Sequence, residues 1–298
     1  MNPTAKSGAL FAITAYSLWG VAPVYFKLLQ HVPATEILAH RVVWSFVLTL
    51  GLIGLLRRRD ELMTALRSGR VRLALLLSTS LIALNWGVFI WAVNNDYMLS
   101  ASLGYYINPL INILLGMMFF RERLDRVSTI AAALCVAAVL FELVQFGRLP
   151  WIALVLATTF GLYGLVRKKI GVSSFTGMAL ETGILLPLAA GYLLFSSSPA
   201  AGPADDSGWT QLMLFAAGPV TMVPLMCFAA AANRISLTAL GFFQYIGPSG
   251  IFLLAVFAYG EPLSPEKLVT FGLIWSALAL LTLDSLIKLR RAPVVPAP

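Results

Sequence analysis

The chain has 298 residues, of which 59% are hydrophobic and only 11% charged. Soluble domains carry about 25% charged residues, so too few remain to clothe a water-facing surface, and an all-α, polytopic membrane protein is expected. The net charge of +8 does not point to nucleic acid, because the basic residues fall in short connections between apolar runs.

A helix needs about 20 mostly apolar residues to cross a bilayer. Ten runs meet that length: 7–28, 36–56, 73–94, 100–120, 127–145, 149–166, 175–195, 210–231, 237–259 and 266–287. Only Lys6 precedes the first run as a charge. That run exceeds the roughly 7–15 apolar residues of a secretory signal, so a retained span is expected. With the N-terminus placed inside, seventeen Lys and Arg residues fall in inner segments, Arg167, Lys168 and Lys169 among them. Three (Lys27, Arg148 and Lys267) fall in outer segments, and Arg41 lies within a span. This bias puts both termini in the cytoplasm. Cys135 and Cys227 both lie within spans and form neither a disulfide framework nor a metal motif. The longest outer connection, 196–208 (SSSPAAGPADDSG), is polar, and the tail from residue 292 (APVVPAP) is too short to span and is expected to be disordered.

One stretch occurs twice. Residues 103–124 (LGYYINPLINILLGMMFFRERL) and 240–263 (LGFFQYIGPSGIFLLAVFAYGEPL) each open with Leu-Gly and two aromatics. Each places a proline, Pro109 or Pro248, thirteen residues before a glutamate, Glu122 or Glu261. The first copy runs outside to inside and the second inside to outside, so the copies are inverted. A weaker echo relates 9–20 (ALFAITAYSLWG) to 153–164 (ALVLATTFGLYG). Two inverted five-helix halves, 1–146 and 147–298, are therefore expected, with each duplicated helix broken near its proline, as in transporters built from internal repeats.

Ionisable and polar groups within spans mark candidate functional positions. Glu36, His40 and Trp44 share a helix face, with Arg41 beside them, as an anion-binding or proton-sensitive cluster. The alternative is Arg41 snorkelling outward and Glu36 acting as a cap. Glu181 lies six residues into the seventh span and aligns with His40 in the repeat. It could couple proton movement or neutralise a cationic substrate, or be a hydrated helix-end acid. Glu142 and Asp284 lie near span ends, and Glu122 and Glu261 suit capping or pairing. Asn85, Asn108, Asn112, Gln244 and Tyr245, with Trp86, Trp91, Tyr105 and Tyr106 nearby, are mid-span polar or amphipathic groups. Each alone suits interhelical bonding. Their clustering beside Pro109 and Pro248, which free backbone carbonyls, points to a cavity lining. In that reading Trp86, Trp91, Tyr105 and Tyr245 contact apolar parts of a substrate, while Asn85, Asn108 and Gln244 orient it. Arg41 or Glu181 then selects charge or couples to protons.

The sequence has no GxxxxGK[ST] loop, no HExxH and no acidic magnesium cluster, so no catalytic residue, cofactor or metal is expected.

Ten spans in inverted halves, each with Pro…Glu-x-Leu, resemble the EamA repeat of the drug/metabolite transporter superfamily. The segments 18–27 (LWGVAPVYFK), 36–45 (EILAHRVVWS), 83–94 (ALNWGVFIWAVN), 102–110 (SLGYYINPL) and 114–124 (LLGMMFFRERL) are similar to the RarD branch, usually labelled chloramphenicol-sensitive permeases. The resemblance implies a bacterial inner-membrane permease working by alternating access on a small metabolite or amphiphilic compound. It marks Trp19, His40, Arg41, Asn85, Trp86, Tyr105, Asn108 and Pro109 as matched positions and assigns none a role. The implied partners are a small-molecule substrate and membrane lipid, with proton coupling left open. A passive channel, facilitator or exchanger is the main alternative.

Overall fold

The computed structural model describes residues 3–29, 31–94, 97–147, 151–195, 208–258 and 265–291. Glu261, Arg148, the 196–207 part of the polar connection, most of the link between the two expected halves and the tail from 292 lie outside the described residues. The helices, in chain order, are α1 (Pro3–Leu28), α2 (Ala34–Leu55), α3 (Arg59–Arg67), α4 (Gly69–Asn94), α5 (Met98–Phe120), α6 (Arg126–Phe146), α7 (Trp151–Ile170), α8 (Ser174–Phe195), α9 (Gly208–Ala232), α10 (Leu237–Gln244), α11 (Ile246–Leu253) and α12 (Pro265–Arg291). Among the described residues ten spans are long and apolar enough to cross a membrane, with α10 and α11 forming one of them together.

Two departures from expectation have local reasons. The sixth span does not stop at residue 166. It runs to Ile170 and ends where Gly171 turns to a φ of 65°, so Arg167, Lys168 and Lys169 belong to the last helical turn rather than a loop. The connection between α2 and α4 holds the unexpected helix α3, whose first turn carries Asp60 and Glu61 and whose last carries Arg67, as the helix dipole favours.

The duplicated helices also differ from each other. The expected interruption at Pro109 is absent, since α5 is continuous through it. A proline deletes one backbone donor, and packing around it can hold the remaining turns in line. In the second copy the helix does break, at Tyr245, three residues before Pro248.

Side chains fix several helix ends. Asp125 caps α6 by accepting from the Ser128 amide at 2.8 Å, and Ser236 caps α10 through the Ala239 amide at 3.0 Å. Glu122, just past α5, adds both carboxylate oxygens to the start of α10, accepting from the Leu237 and Thr238 amides at 2.8 Å each. Its expected capping role thus acts across the duplicated pair. Lys168 completes this junction by donating to the Ala232 carbonyl at 2.9 Å and to the Ile235 carbonyl. At the other end of the bundle, Glu142 of α6 pairs with Lys267 at 3.2 Å and accepts from Thr270 at 2.7 Å, both on α12.

The helix contacts fall into sets. α1 lies on α9 and α7 on α4; α1 lies on α11 and α7 on α5; α2 lies on α9 and α8 on α4; and α2–α8, α5–α10 and α6–α12 pair directly. One core cluster joins α1, α7, α9 and α10 around Tyr16, Tyr163, Phe228 and Leu240. A second joins α5, α6, α10 and α12 around Tyr106, Cys135, Tyr245 and Phe271. Large apolar side chains such as Leu55, Leu73, Val144, Leu188 and Phe257 stay exposed on the outside, where lipid rather than water suits them.

Candidate functional site

Three groups of polar or aromatic side chains lie between the helices. The first is centred on Arg41, two turns into α2. Its Nε donates to Thr221 Oγ1 of α9 at 2.7 Å, and that hydroxyl donates onward to the Ala217 carbonyl at 2.7 Å. The hydroxyl proton is therefore committed, and a lone pair is fixed on the arginine. The guanidinium carbon stands 5.1 Å from the Trp86 ring centroid and 5.6 Å from that of Phe26, within cation–π range. Tyr25 and Tyr105 lie within its electrostatic reach. Arg41 and Trp86 are half-buried, and Tyr105 is 43% exposed although it meets Phe89 edge-on within the bundle.

The second group is an aromatic layer nearer the basic end, where the arginine- and lysine-rich connections gather. Tyr16 and Trp19 of α1, Phe160 and Tyr163 of α7, and Phe228 of α9 touch in sequence, with ring centroids 5.2–6.3 Å apart. Tyr16, Tyr163 and Phe228 are fully buried.

Tyr163 links this layer to a buried ion pair. Its hydroxyl donates to Glu181 Oε2 at 3.2 Å, and Ser78 of α4 donates to Oε1 at 2.6 Å. Arg167 Nη1 stands 3.6 Å from Oε1, and the two side chains are 2% and 5% exposed. A Cβ on Gly177 would fall 1.6 Å from Arg167 Nη1, so only glycine admits the guanidinium there. Glu181 is therefore neither a helix-end acid in water nor a lone acid, but one side of a charge pair joining α4, α7 and α8.

The third group is a set of amides between α5, α10 and α7. Asn112 Nδ2 donates to Gln244 Oε1 at 2.7 Å and to Asn108 Oδ1 at 3.3 Å, and Gln244 Nε2 donates to Asn108 Oδ1 at 2.7 Å. Asn108 Nδ2 continues to the Ala157 carbonyl at 3.1 Å. Asn85 joins α4 to α7 through the Leu156 carbonyl at 2.8 Å and Thr159 Oγ1 at 2.9 Å. All four act as ties between helices.

Of the expected site residues, the structure brings Arg41, Trp86 and Tyr105 together and places Trp19 in the adjoining aromatic layer. Asn108 and Gln244 meet, but their hydrogen bonds are to protein. Tyr245 is fully buried in the second core cluster, donating to the Tyr106 carbonyl at 3.2 Å. Trp91 stacks on Tyr97 and leans on Trp151, with centroids 5.5 and 5.6 Å away. His40 lies beside Glu36 on α2, its Nδ1 buried without a hydrogen-bond partner among the described residues. Pro109 presents its carbonyl to Gly241 of α10, where a Cβ would come within 2.6 Å. Pro248 is buried in α11. A cavity of about 300 Å3 opens elsewhere, between α2, α3 and α8, walled by Phe46, Leu50, Leu62, Leu66, Leu180 and Ile184. It contains none of the expected site residues.

Sequence reasoning missed Thr221, Ser78, Tyr163 and Arg167. For the last two a signal exists: Tyr163 and Arg167 share a face of one helix at i, i+4, as do Gly177 and Glu181 on the next. Among the described residues no three His, Cys, Asp or Glu side chains gather as metal ligands would.

Residues 6–143 match the EamA-like transporter family. The chain is 51% identical over 283 residues to an uncharacterized transporter of Vibrio cholerae, covering 95% of this chain and 94% of that one. It is 50% identical over 287 residues to protein RarD of Escherichia coli K12, covering 96% and 97%. Against the chloramphenicol-sensitive protein RarD of Pseudomonas aeruginosa the identity is 33%, over 95% and 96% of the two chains. A solved crystal structure superposes with a TM-score of 0.72 at 19% identity, covering 93% of this chain and 98% of that one, which is a likeness of fold.

Proposed function

The chain belongs to the EamA-like transporter family, in its RarD branch, and on that premise we propose a secondary transporter that carries a small metabolite or amphiphilic compound by alternating access. The observation that carries this is an asymmetry along the bundle. The Arg41, Trp86 and Tyr105 centre keeps accessible surface, whereas Tyr16, Tyr163 and Phe228 of the aromatic layer and the Arg167–Glu181 pair on its basic side are buried. A binding centre open to one side and closed to the other is one of the two states that alternating access requires. In the second state the layer parts and the outer walls around Arg41 close.

The matched sets of helix contacts favour two five-helix halves, 1–146 and 147–298, related by an inverted pseudo-two-fold axis. The clustering of basic residues at the buried end favours a cytoplasmic placement of that end with both termini inside, and the family supports the bacterial inner membrane. Glu181 is the coupling acid in this account, because protonation would remove the charge that holds Arg167 between α7 and α8.

The test uses purified protein in sealed liposomes with a pH-sensitive dye inside. Amino acids, other metabolites and amphiphilic drugs are added in pools, with and without an imposed pH gradient. Uptake of a solute against its own gradient, with a dye response lost in Glu181→Gln, is the expected result. Uptake that only equilibrates would make the protein a facilitator, and uptake without dye response would return Glu181 to a structural role.

A further inference from the structure

We propose that the Arg41 centre is a recognition site for the anionic group of an aromatic or otherwise apolar organic anion, a carboxylate for choice, which rests on the transporter reading and names its substrate class. Within the span the guanidinium uses only Nε for the protein, on Thr221. Its two terminal nitrogens donate to no protein group among the described residues, and the side chain is only half-buried. No Asp or Glu among the described residues lies within 4.0 Å of it. Glu36, five residues earlier on the same helix, is buried but forms no such pair with it. A charge this deep in a membrane protein needs a partner. Here the protein supplies aromatic faces on two sides and a hydroxyl on a third, leaving the planar fork of the guanidinium open. That fork matches the two oxygens of a carboxylate. The contrast with Arg167 sharpens the point: that arginine, near the basic end of α7, is given a glutamate, while none among the described residues pairs with Arg41.

Trp86, Phe26 and Tyr105 then set what the anion is attached to. Their rings suit a flat or apolar body beside the charge. A cationic substrate would meet Arg41 with like charge.

Three compounds of one shape separate the charges: 3-phenylpropionate, 3-phenylpropanol and 3-phenylpropylamine. Binding to the purified, detergent-solubilised protein is read from thermal shift and from tryptophan fluorescence. The carboxylate is expected to bind at least about tenfold more tightly than the alcohol, the return on one charge-assisted pair, and the amine weakest. Arg41→Gln should erase this preference and Arg41→Lys should keep part of it, which guards against a variant that merely misfolds. Equal affinities, no binding of any of the three, or a preference that survives in Arg41→Gln would overturn the proposal. Transport is read separately: a carboxylate that binds selectively but is not taken up by liposomes contradicts the transporter and leaves the anion site standing.

Discussion

Arg41 and Glu181 stand at comparable depths in helices α2 and α8, and the protein treats them differently. Arg41 is offered rings and one hydroxyl, so its charge remains available. Glu181 is enclosed by Arg167, Ser78 and Tyr163. Breaking one side of a buried pair strands the other charge, which costs about 3–5 kcal/mol in soluble proteins. Glu181→Met and Arg167→Met should therefore each lower the thermal midpoint of the purified protein markedly, while Arg167→Met with Glu181→Met should recover most of the loss. A double variant no more stable than either single one would mean that the pair is not the unit. The sequence made Glu181 conspicuous, since an acid six residues into a span is hard to overlook. It hid Arg167, because a basic residue beside Lys168 and Lys169 reads as a loop charge until the helix is known to run to Ile170.

Helices in this bundle meet closely where glycine or alanine allows it, and the two kinds of glycine predict opposite outcomes. Gly241 brings α10 against the backbone of α5, where a Cβ would lie 2.6 Å from the Pro109 carbonyl, whereas nothing lies within 4 Å of a Cβ on Gly51. Gly241→Ala should push the duplicated helices apart and reduce both thermal midpoint and uptake. Gly51→Ala should be neutral or slightly stabilising, by up to about 1 kcal/mol from backbone entropy; equal behaviour of the two would show that the α5–α10 contact has room to yield. The spans themselves were legible from their apolar length, as the bilayer demands. Helix α3 was not, because nine residues in a basic connection carry no span signal. The interruption expected at Pro109 failed because a proline reports a missing donor, and whether the helix bends depends on what packs around it. The amides show the same limit. Asn108, Asn112 and Gln244 stood out as polar groups in apolar runs, but their choice of each other as partners is set by the meeting of α5 with α10, 132–136 residues apart in the chain.

At the scale of the molecule, the centre around Arg41 keeps accessible surface, while Tyr16, Tyr163 and Phe228 toward the basic end are buried. The account stands on these two regions exchanging their access. The most direct measurement places single cysteines in a background with Cys135 and Cys227 replaced by alanine. One is Tyr105→Cys at the open centre, and the other is Ala231→Cys, a fully buried position in the sealed cluster. Labelling by a membrane-impermeant maleimide is followed from each face of oriented vesicles, with and without Glu181→Gln to release Arg167. Position 105 should label from the outer face and position 231 from neither face at rest. Releasing the ion pair should open position 231 to the inner face while protecting position 105. Position 231 remaining sealed in every condition, or both positions labelling together in one state, would contradict alternating access through this centre.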